Sequence, residues 1–305
     1  MVLNSHDKLD FIGDVHGNAQ KLVKLIDHLG YRNSGTGWSH PEGRQIVVLG
    51  DFINVGNDSK LVLQILFNMW CDKTAHIIIG NHEYYLALNF YHNGKTIFEE
   101  DGPLINDYKK LLTEFKNDSS LFEKYMEWIY KLPLYVETDK FRAVHAYWLN
   151  ENLKTIAGYN NLLEIFASFE TLKKKKSNDL KNAINETLTG KEILLYPSCK
   201  NKNTLKFRIK WWINMYGKLL PECIVIHKPV QCPGIIITPS LLPGFKLYDS
   251  SEKPIFFGHY WLQQIPYLIR KNICCLDFGA AKGGYLAAYR WDGEKVLADN
   301  KLVYV

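Results

Sequence analysis

Leu9-Asp10-Phe11-Ile12-Gly13-Asp14-Val15-His16-Gly17 reads as a short apolar strand that stops at a glycine and then presents an aspartate and a histidine two residues apart. The same grammar recurs twice in the first hundred residues. Residues 45–49 form an apolar run before Gly50-Asp51, and residues 76–79 another before Gly80-Asn81-His82-Glu83. Between these runs lie helical patterns. Residues 18–29 place Leu22, Leu25, Ile26 and Leu29 on one stripe, with Gly30 as a stop, and residues 60–70 carry a second apolar stripe. Alternating strands and helices of this kind predict a mostly parallel sheet.

Working outward, residues 101–130 read as helical up to Pro133, and residues 142–145 as a strand ending at His145-Ala146. Residues 150–248 break the pattern with a lysine run, Lys173 to Lys176, and then a scatter of prolines. This stretch reads as a cap or insertion in one domain spanning residues 1–305. The lysine run reads as a solvated helix face, with an anion-binding edge as the alternative. Strand signals return at 254–258, 273–278 and 284–291, and Trp291-Asp292-Gly293-Glu294 reads as a turn from which 295–298 pair back. The expected architecture is therefore α/β, a four-layer α/β/β/α sandwich with mixed sheets.

Bulk properties narrow the function classes. The 305 residues are 47% hydrophobic and 23% charged, with a net charge of +5, which suits a globular chain and an anionic substrate. The positive charge is spread along the chain, so no strong nucleic-acid signal appears. No basic-then-apolar leader opens the sequence, and no apolar run has the length of a membrane span. The six cysteines form no CxxC pair, and the spacing of Cys199, Cys223 and Cys232 is irregular for zinc. Buried free thiols and a cytoplasmic location are expected.

Five fragments carry the chemistry: Gly13-Asp14-Val15-His16-Gly17, Gly50-Asp51, Gly80-Asn81-His82-Glu83, Val144-His145-Ala146 and Gly258-His259. Each follows an apolar strand and puts polar residues at its carboxyl end, where open α/β sheets bind ligands. Carboxylate, amide oxygen and imidazole are donors for divalent metals. One carboxylate shared by two ions about 3.5–4 Å apart can serve phosphoryl displacement. Asp277 reads as structural, and Glu83 as a cap for the helix expected from that residue onward.

In this order, DxHG, GD, GNHE, HA and GH resemble the calcineurin-like metallophosphoesterase superfamily, and within it the phosphoprotein-phosphatase branch with its bacterial diadenosine tetraphosphatases and serine/threonine phosphatases. The resemblance covers about residues 9–92, 133–147 and 253–292. It implies the calcineurin-like metallophosphatase fold. It also implies that Asp14, His16 and Asp51 hold a first metal, that Asp51 bridges to a second, and that Asn81, His145 and His259 complete the second site. His82 would be the general acid, a role its near-neutral titration suits. The implied reaction is direct attack of metal-bound hydroxide on a phosphomonoester or phosphoanhydride. The two divalent ions would be Mn2+, with Fe or Zn as alternatives, and the substrate a phosphoserine/phosphothreonine protein or a dinucleoside polyphosphate.

The chain departs from the family pattern GDxxDRG, reading Gly50-Asp51-Phe52-Ile53-Asn54-Val55-Gly56. Asn54 replaces the aspartate that orients the acid, and Val55 the arginine that grips phosphate. Arg208 is the first candidate to replace that grip and Arg142 the second. Gly258-His259-Tyr260-Trp261 also lacks the final histidine of GHxH, and Tyr260 and Trp261 are candidates for a substrate pocket or for the core. These departures keep open a degenerate phosphatase acting as a binding module. A nuclease reading lacks the GHxH ligand of that branch.

Overall fold

A computed structural model describes residues 8–33, 35, 37–93, 105–195, 205–226 and 232–305. The first third alternates as expected: β1 (Leu9–Ile12), α1 (Ala19–His28), the small hairpin β2 (Arg32–Asn33) and β3 (Trp38–Ser39), β4 (Gln45–Val48), α2 (Ser59–Cys71), β5 (Ala75–Ile77) and α3 (Asn81–Asn93). Asn18 caps α1, its side chain accepting from the Lys21 amide. The middle holds α4 (Ile105–Glu114), α5 (Ser119–Ile129), β6 (Tyr135–Glu137), β7 (Arg142–Val144), α6 (Asn150–Ile156), α7 (Leu162–Thr171), α8 (Lys174–Thr189), β8 (Glu192–Leu195), β9 (Leu205–Arg208) and α9 (Leu220–Cys223). The last third is β10 (Ile255–Phe257), β11 (Ile273–Cys275), β12 (Asp277–Phe278), β13 (Tyr285–Trp291) and β14 (Leu302–Tyr304).

Two mixed sheets result. The first has the order β12-β13-β1-β4-β5, with β14 also paired to β13; the second has the order β11-β10-β7-β6. Strands β1, β4 and β5 run parallel, and β13 lies antiparallel to β1. In the second sheet β7, β10 and β11 are parallel and β6 is antiparallel.

Strand alternation divides the core. Phe11 and Val47 point toward the second sheet, where Phe11 stacks on Phe256 with ring centroids 3.7 Å apart. Ile12, Ile46 and Val48 point the other way, into the helical layer. The outer face of the second sheet is covered by Trp211 and Trp212, whose rings lie 4.9 and 5.4 Å from Phe257. These layers are the α/β/β/α sandwich of the calcineurin-like fold.

Several boundaries differ from expectation. The 273–278 run is two strands, because the chain leaves the second sheet at Leu276 and joins the first at Asp277. Residues 295–298 do not pair back; β14 does so at 302–304. Glu294 explains the delay: its carboxylate accepts from the Tyr289 hydroxyl and the Asp292 amide, and Leu297 donates to the Lys271 carbonyl instead of to β13. The helical stretch before Pro133 is two helices, α4 and α5, and residues 101–104 lie outside those described.

Helix α3 starts at Asn81, two residues before Glu83. The lysine run opens α8 and is exposed. Cys223, Cys274 and Cys275 are buried free thiols, but Cys71, at the end of α2, is exposed; Cys199 lies outside the described residues. No helix among the described residues is long and apolar enough to cross a membrane.

Candidate metal centre

The carboxyl ends of β1, β4, β5, β7 and β10 converge, and each delivers one sequence fragment to the same place. Delivering them strains the backbone. Among the described residues, seven non-glycine residues have positive φ, and six of them are His16, Asp51, Asn54, Val55, His259 and Trp261. Strain of this kind persists where the surroundings over-determine it, typically at functional sites. Two glycines make the approach possible. A Cβ at Gly80 would collide with the Asp51 carboxylate, and one at Gly258 with the Asp14 carboxylate.

Asp51 is the hub. Its Oδ2 lies 3.3 Å from His145 Nε2, 3.8 Å from His16 Nε2 and 3.9 Å from His82 Nε2. Two donor groups share it, His16–Asp51–His82 and Asp51–His145–His259, each with its ligand atoms within 4.8 Å of one another. Asn81 Oδ1 joins the second at 3.3 Å from His145 Nε2. Asp14 Oδ2 lies 4.0 Å from His16 Nε2, beside the first. All six residues expected as metal ligands therefore meet around one carboxylate.

Hydrogen-bond partners sort the histidines by role. His145 Nδ1 lies 2.7 Å from the Leu49 carbonyl, His16 Nδ1 3.3 Å from the Ile53 carbonyl, and His259 Nε2 3.1 Å from the Thr189 carbonyl. A carbonyl only accepts, so each ring puts its proton there and turns an unprotonated nitrogen to the cluster, as a metal ligand must. His82 is the exception. Its Nδ1 faces the Asn54 amide nitrogen at 3.1 Å; with that amide as donor, the ring proton is placed on Nε2, toward Asp51. That makes His82 a donor to the cluster although its distance alone would group it with the ligands. The Oδ1 of Asn54 has no hydrogen-bond partner among the described residues.

The electrostatics call for a cation. Burial, then Asp277 and Asp51, push the Asp14 carboxyl well above the usual carboxylate range. Burial also works against charge on Asp51, yet His145, His82 and His16 together hold it well below its ordinary value. Burial drives His82 down to about 4 and His259 down strongly, the latter helped by Arg208. Burial works against charge on His145 too, but Asp51 outweighs it and raises that imidazole; divalent ions on these oxygen and nitrogen donors would relieve the buried carboxylates and suit the lowered His82 and His259. The donor set fits hard or borderline metals.

Glu83 does more than cap α3. Fully buried, it accepts from the Gly80 amide and from three successive amides, those of Asp51, Phe52 and Ile53, at 2.9 to 3.0 Å. It therefore clamps the loop that carries Asp51.

The cluster opens into a cavity of about 450 Å3. Arg208 lines it, with a buried Nε that has no hydrogen-bond partner among the described residues, and Val55 lines it where the family arginine would stand. His145 lies beneath the floor, fully buried. Arg142 is not in the site. It stands at the start of β7, about 10 Å of strand from His145, and its guanidinium is held by Glu137, Glu252 and the Tyr248 hydroxyl. Tyr260 is a core residue, 0% exposed and edge-on to Trp212 and Phe257; its neighbour Trp261 lines the cavity instead.

Three charged residues of the cavity were not read from the sequence as site residues, though Asp277 was expected to be structural. Asp277 accepts from the Trp261 and Gly279 amides and so fixes the loop that carries His259. Lys282 sits with its ammonium 4.0 Å from the Trp261 ring centroid. Asp107 of α4 faces His82 across the cavity. Lys282, flanked by Gly279 and Gly283-Gly284, had the glycine signal of the other fragments; Asp107 had none.

A family model described as calcineurin-like phosphoesterase matches residues 8–204. The asymmetrical bis(5'-nucleosyl)-tetraphosphatase PrpE of Oceanobacillus iheyensis is 32% identical over 142 residues, 46% of this chain and 55% of that protein. The match to its counterpart in Halalkalibacterium halodurans covers 30% of that protein, so the chain spans about half or less of these relatives. The symmetrical bis(5'-nucleosyl)-tetraphosphatase of Wigglesworthia glossinidia brevipalpis is 28% identical over 299 residues, 93% of this chain and 95% of that protein. Among solved structures, the cold-active protein-tyrosine phosphatase of a psychrophilic Shewanella species superposes with a TM-score of 0.50 at 15% identity, over 96% of this chain and 80% of that one. That likeness is one of fold.

Proposed function

The chain belongs to the calcineurin-like phosphoesterase family, and we propose that it hydrolyses a phosphoester or phosphoanhydride with two divalent ions held around Asp51. The observation that carries this reading is one buried carboxylate shared by two sets of donors. Asp14, His16 and Asp51 would hold one ion; Asp51, Asn81, His145 and His259 would hold the other. Such a pair, when bound, supplies an activated water and neutralises charge on the phosphoryl oxygens.

The chain's own groups would do the rest. His82, its proton directed inward by Asn54, would donate to the leaving oxygen. Arg208 and Lys282 would bind phosphate, standing in for the cation lost at Val55. Asp277 would keep the His259 loop in place through two backbone amides. We read the chain as one domain, with 150–248 as an inserted layer that brings Arg208 and Thr189 to the cluster. Manganese and a cytoplasmic setting belong to the same proposal, supported by the oxygen-and-imidazole donors and the free thiols.

For the substrate we favour a dinucleoside polyphosphate, on the near full-length similarity to the Wigglesworthia relative. A phosphoserine or phosphothreonine protein is the alternative. Product analysis of the protein incubated with diadenosine tetraphosphate and manganese, against a chelator control, separates them. Metal-dependent cleavage supports the favoured reading, and the nucleotides released identify the bond attacked. An intact dinucleotide beside a hydrolysed phosphopeptide would favour the alternative. If an aryl phosphate also stayed intact with metal bound, the reading as an enzyme would fail in favour of a binding module.

A further inference from the structure

Two helices end in the metal centre and share a second cavity. Helix α3 begins there with Asn81 and His82, and α8 ends there with Thr189, whose carbonyl orients His259. Residues three or four apart lie on one helical face. From His82 that face continues through Tyr85 and Leu88; from Thr189 it continues back through Asn185, Asn182 and Lys181. Tyr85, Leu88, Lys181, Asn182 and Asn185 line a cavity of about 450 Å3, with Phe169 and Glu170 of α7 contributing the far wall. Its near end, at Tyr85, is about 4.5 Å of helix rise from His82, and Leu88 about 9 Å.

The lining has a specific chemistry. Tyr85 is half-buried, and its hydroxyl donates to Asn185 Oδ1 at 2.8 Å, which pins the ring and leaves the Asn185 amide hydrogens available. The Lys181 ammonium lies 4.9 Å from the centroid of the Phe169 ring. Asn182 is exposed and its amide makes no described hydrogen bond, leaving a donor and an acceptor together at the lip. The Tyr85 ring beside the Asn185 amide hydrogens and the Asn182 amide suits a planar heterocycle with a hydrogen-bonding edge.

We infer that this groove between α3 and α8 is the binding site for a nucleobase whose attached phosphate reaches the metal centre. The inference rests on the phosphohydrolase reading for its place in the reaction, but its test by binding does not. Tyr85 would stack on the base, Asn182 and Asn185 would meet its polar edge, and the ribose would span the first turn of α3.

Adenosine 5'-monophosphate and ribose 5-phosphate differ only by the base, so calorimetric titration of each into the manganese-loaded protein isolates the groove. The expected result is that the nucleotide binds about tenfold or more tightly than the sugar phosphate, the scale of one base–aromatic stack. Tyr85→Ala should bring the two within about twofold while leaving ribose 5-phosphate binding unchanged, which also shows that the variant is folded. Tyr85→Phe should keep most of the preference, and Asn182→Ala, at the exposed lip, should reduce it about threefold. Equal binding of the two ligands by the wild type would overturn the inference. So would a preference that survives both alanine variants. So would a Tyr85→Ala variant that loses only phosphopeptide binding, because the groove would then be a peptide site. Aryl phosphate turnover in the same samples keeps the two claims apart. Turnover without base preference removes the groove alone, and base preference without turnover removes the phosphohydrolase reading alone.

Discussion

Glu83→Gln isolates the clamp on the Asp51 loop. The wild-type carboxylate satisfies four buried amides, two on each oxygen: Asp51 and Gly80 on Oε2, Phe52 and Ile53 on Oε1. Glutamine keeps the volume but offers one acceptor oxygen, so two of those amides face an NH2 group. Each buried donor left unpaired costs about 1–3 kcal/mol, about 2–6 kcal/mol for the pair. Part of this is offset. Burial and Asp51 push Glu83 up to about 7, against the opposing pull of the backbone amides, so a charged carboxylate there carries a penalty that an amide does not. From an ordinary value of 4.5, that penalty is roughly 3 kcal/mol above pH 7.

The net loss expected near neutral pH is about 1 kcal/mol, or about 2 °C in Tm for a chain of this size. The pH dependence carries a second signature. A carboxyl whose pKa is raised on folding contributes stability that is complete below its unfolded value and lost as pH rises through its folded value. Metal-free wild type should therefore lose stability between about pH 4.5 and 7 relative to the variant, which has no group to titrate there. The gap in Tm should be widest near pH 5 and narrow toward pH 8. Thermal melts across this range, with manganese affinity measured in parallel, test both parts. A Tm within 1 °C of wild type at every pH, or an unchanged manganese affinity, would refute the clamp.

His82→Ala should lower turnover about 10²–10⁴-fold on substrates with poor leaving groups, with metal content unchanged; full turnover would remove His82 as the acid. Because Asp14 is pushed well above the usual carboxylate range, manganese binding should displace a proton from it, and apparent affinity should rise with pH. Calorimetry in buffers of different ionisation enthalpy reads the released proton directly, and Asp14→Asn should release fewer. Arg208→Ala should raise KM more than it lowers kcat if the guanidinium grips ground state and transition state alike; unchanged kinetics would leave phosphate binding to Lys282.

The meeting of these donor side chains was legible in the sequence because every one sits at the end of an apolar strand and most stand next to a glycine. Gly80 and Gly258 turned out to be spaces for the Asp51 and Asp14 carboxylates, a reason local enough for one sequence to show. The failures came from relations between segments. Arg142 stands near His145 in the sequence, yet a strand carries it to the other end of the sheet, where Glu137 and Glu252 hold it. The sequence left Tyr260 and Trp261 open between pocket and core; positive φ angles at His259 and Trp261 turn the loop so that the tyrosine enters the core and the tryptophan lines the cavity. Glu83 looked like a helix cap because three of the four amides it accepts belong to a loop thirty or so residues away. Asp107 reaches the cavity from a helix whose pattern gives only its buried face.

The most direct test of a bridging Asp51 is a manganese titration of metal-free protein followed by aryl phosphate hydrolysis, on wild type and Asp51→Asn. Turnover that rises to a plateau at two equivalents in the wild type, with a variant that binds fewer ions and stays inactive, is the predicted result. Full turnover at one equivalent or in chelator, or an active Asp51→Asn variant, would contradict the account.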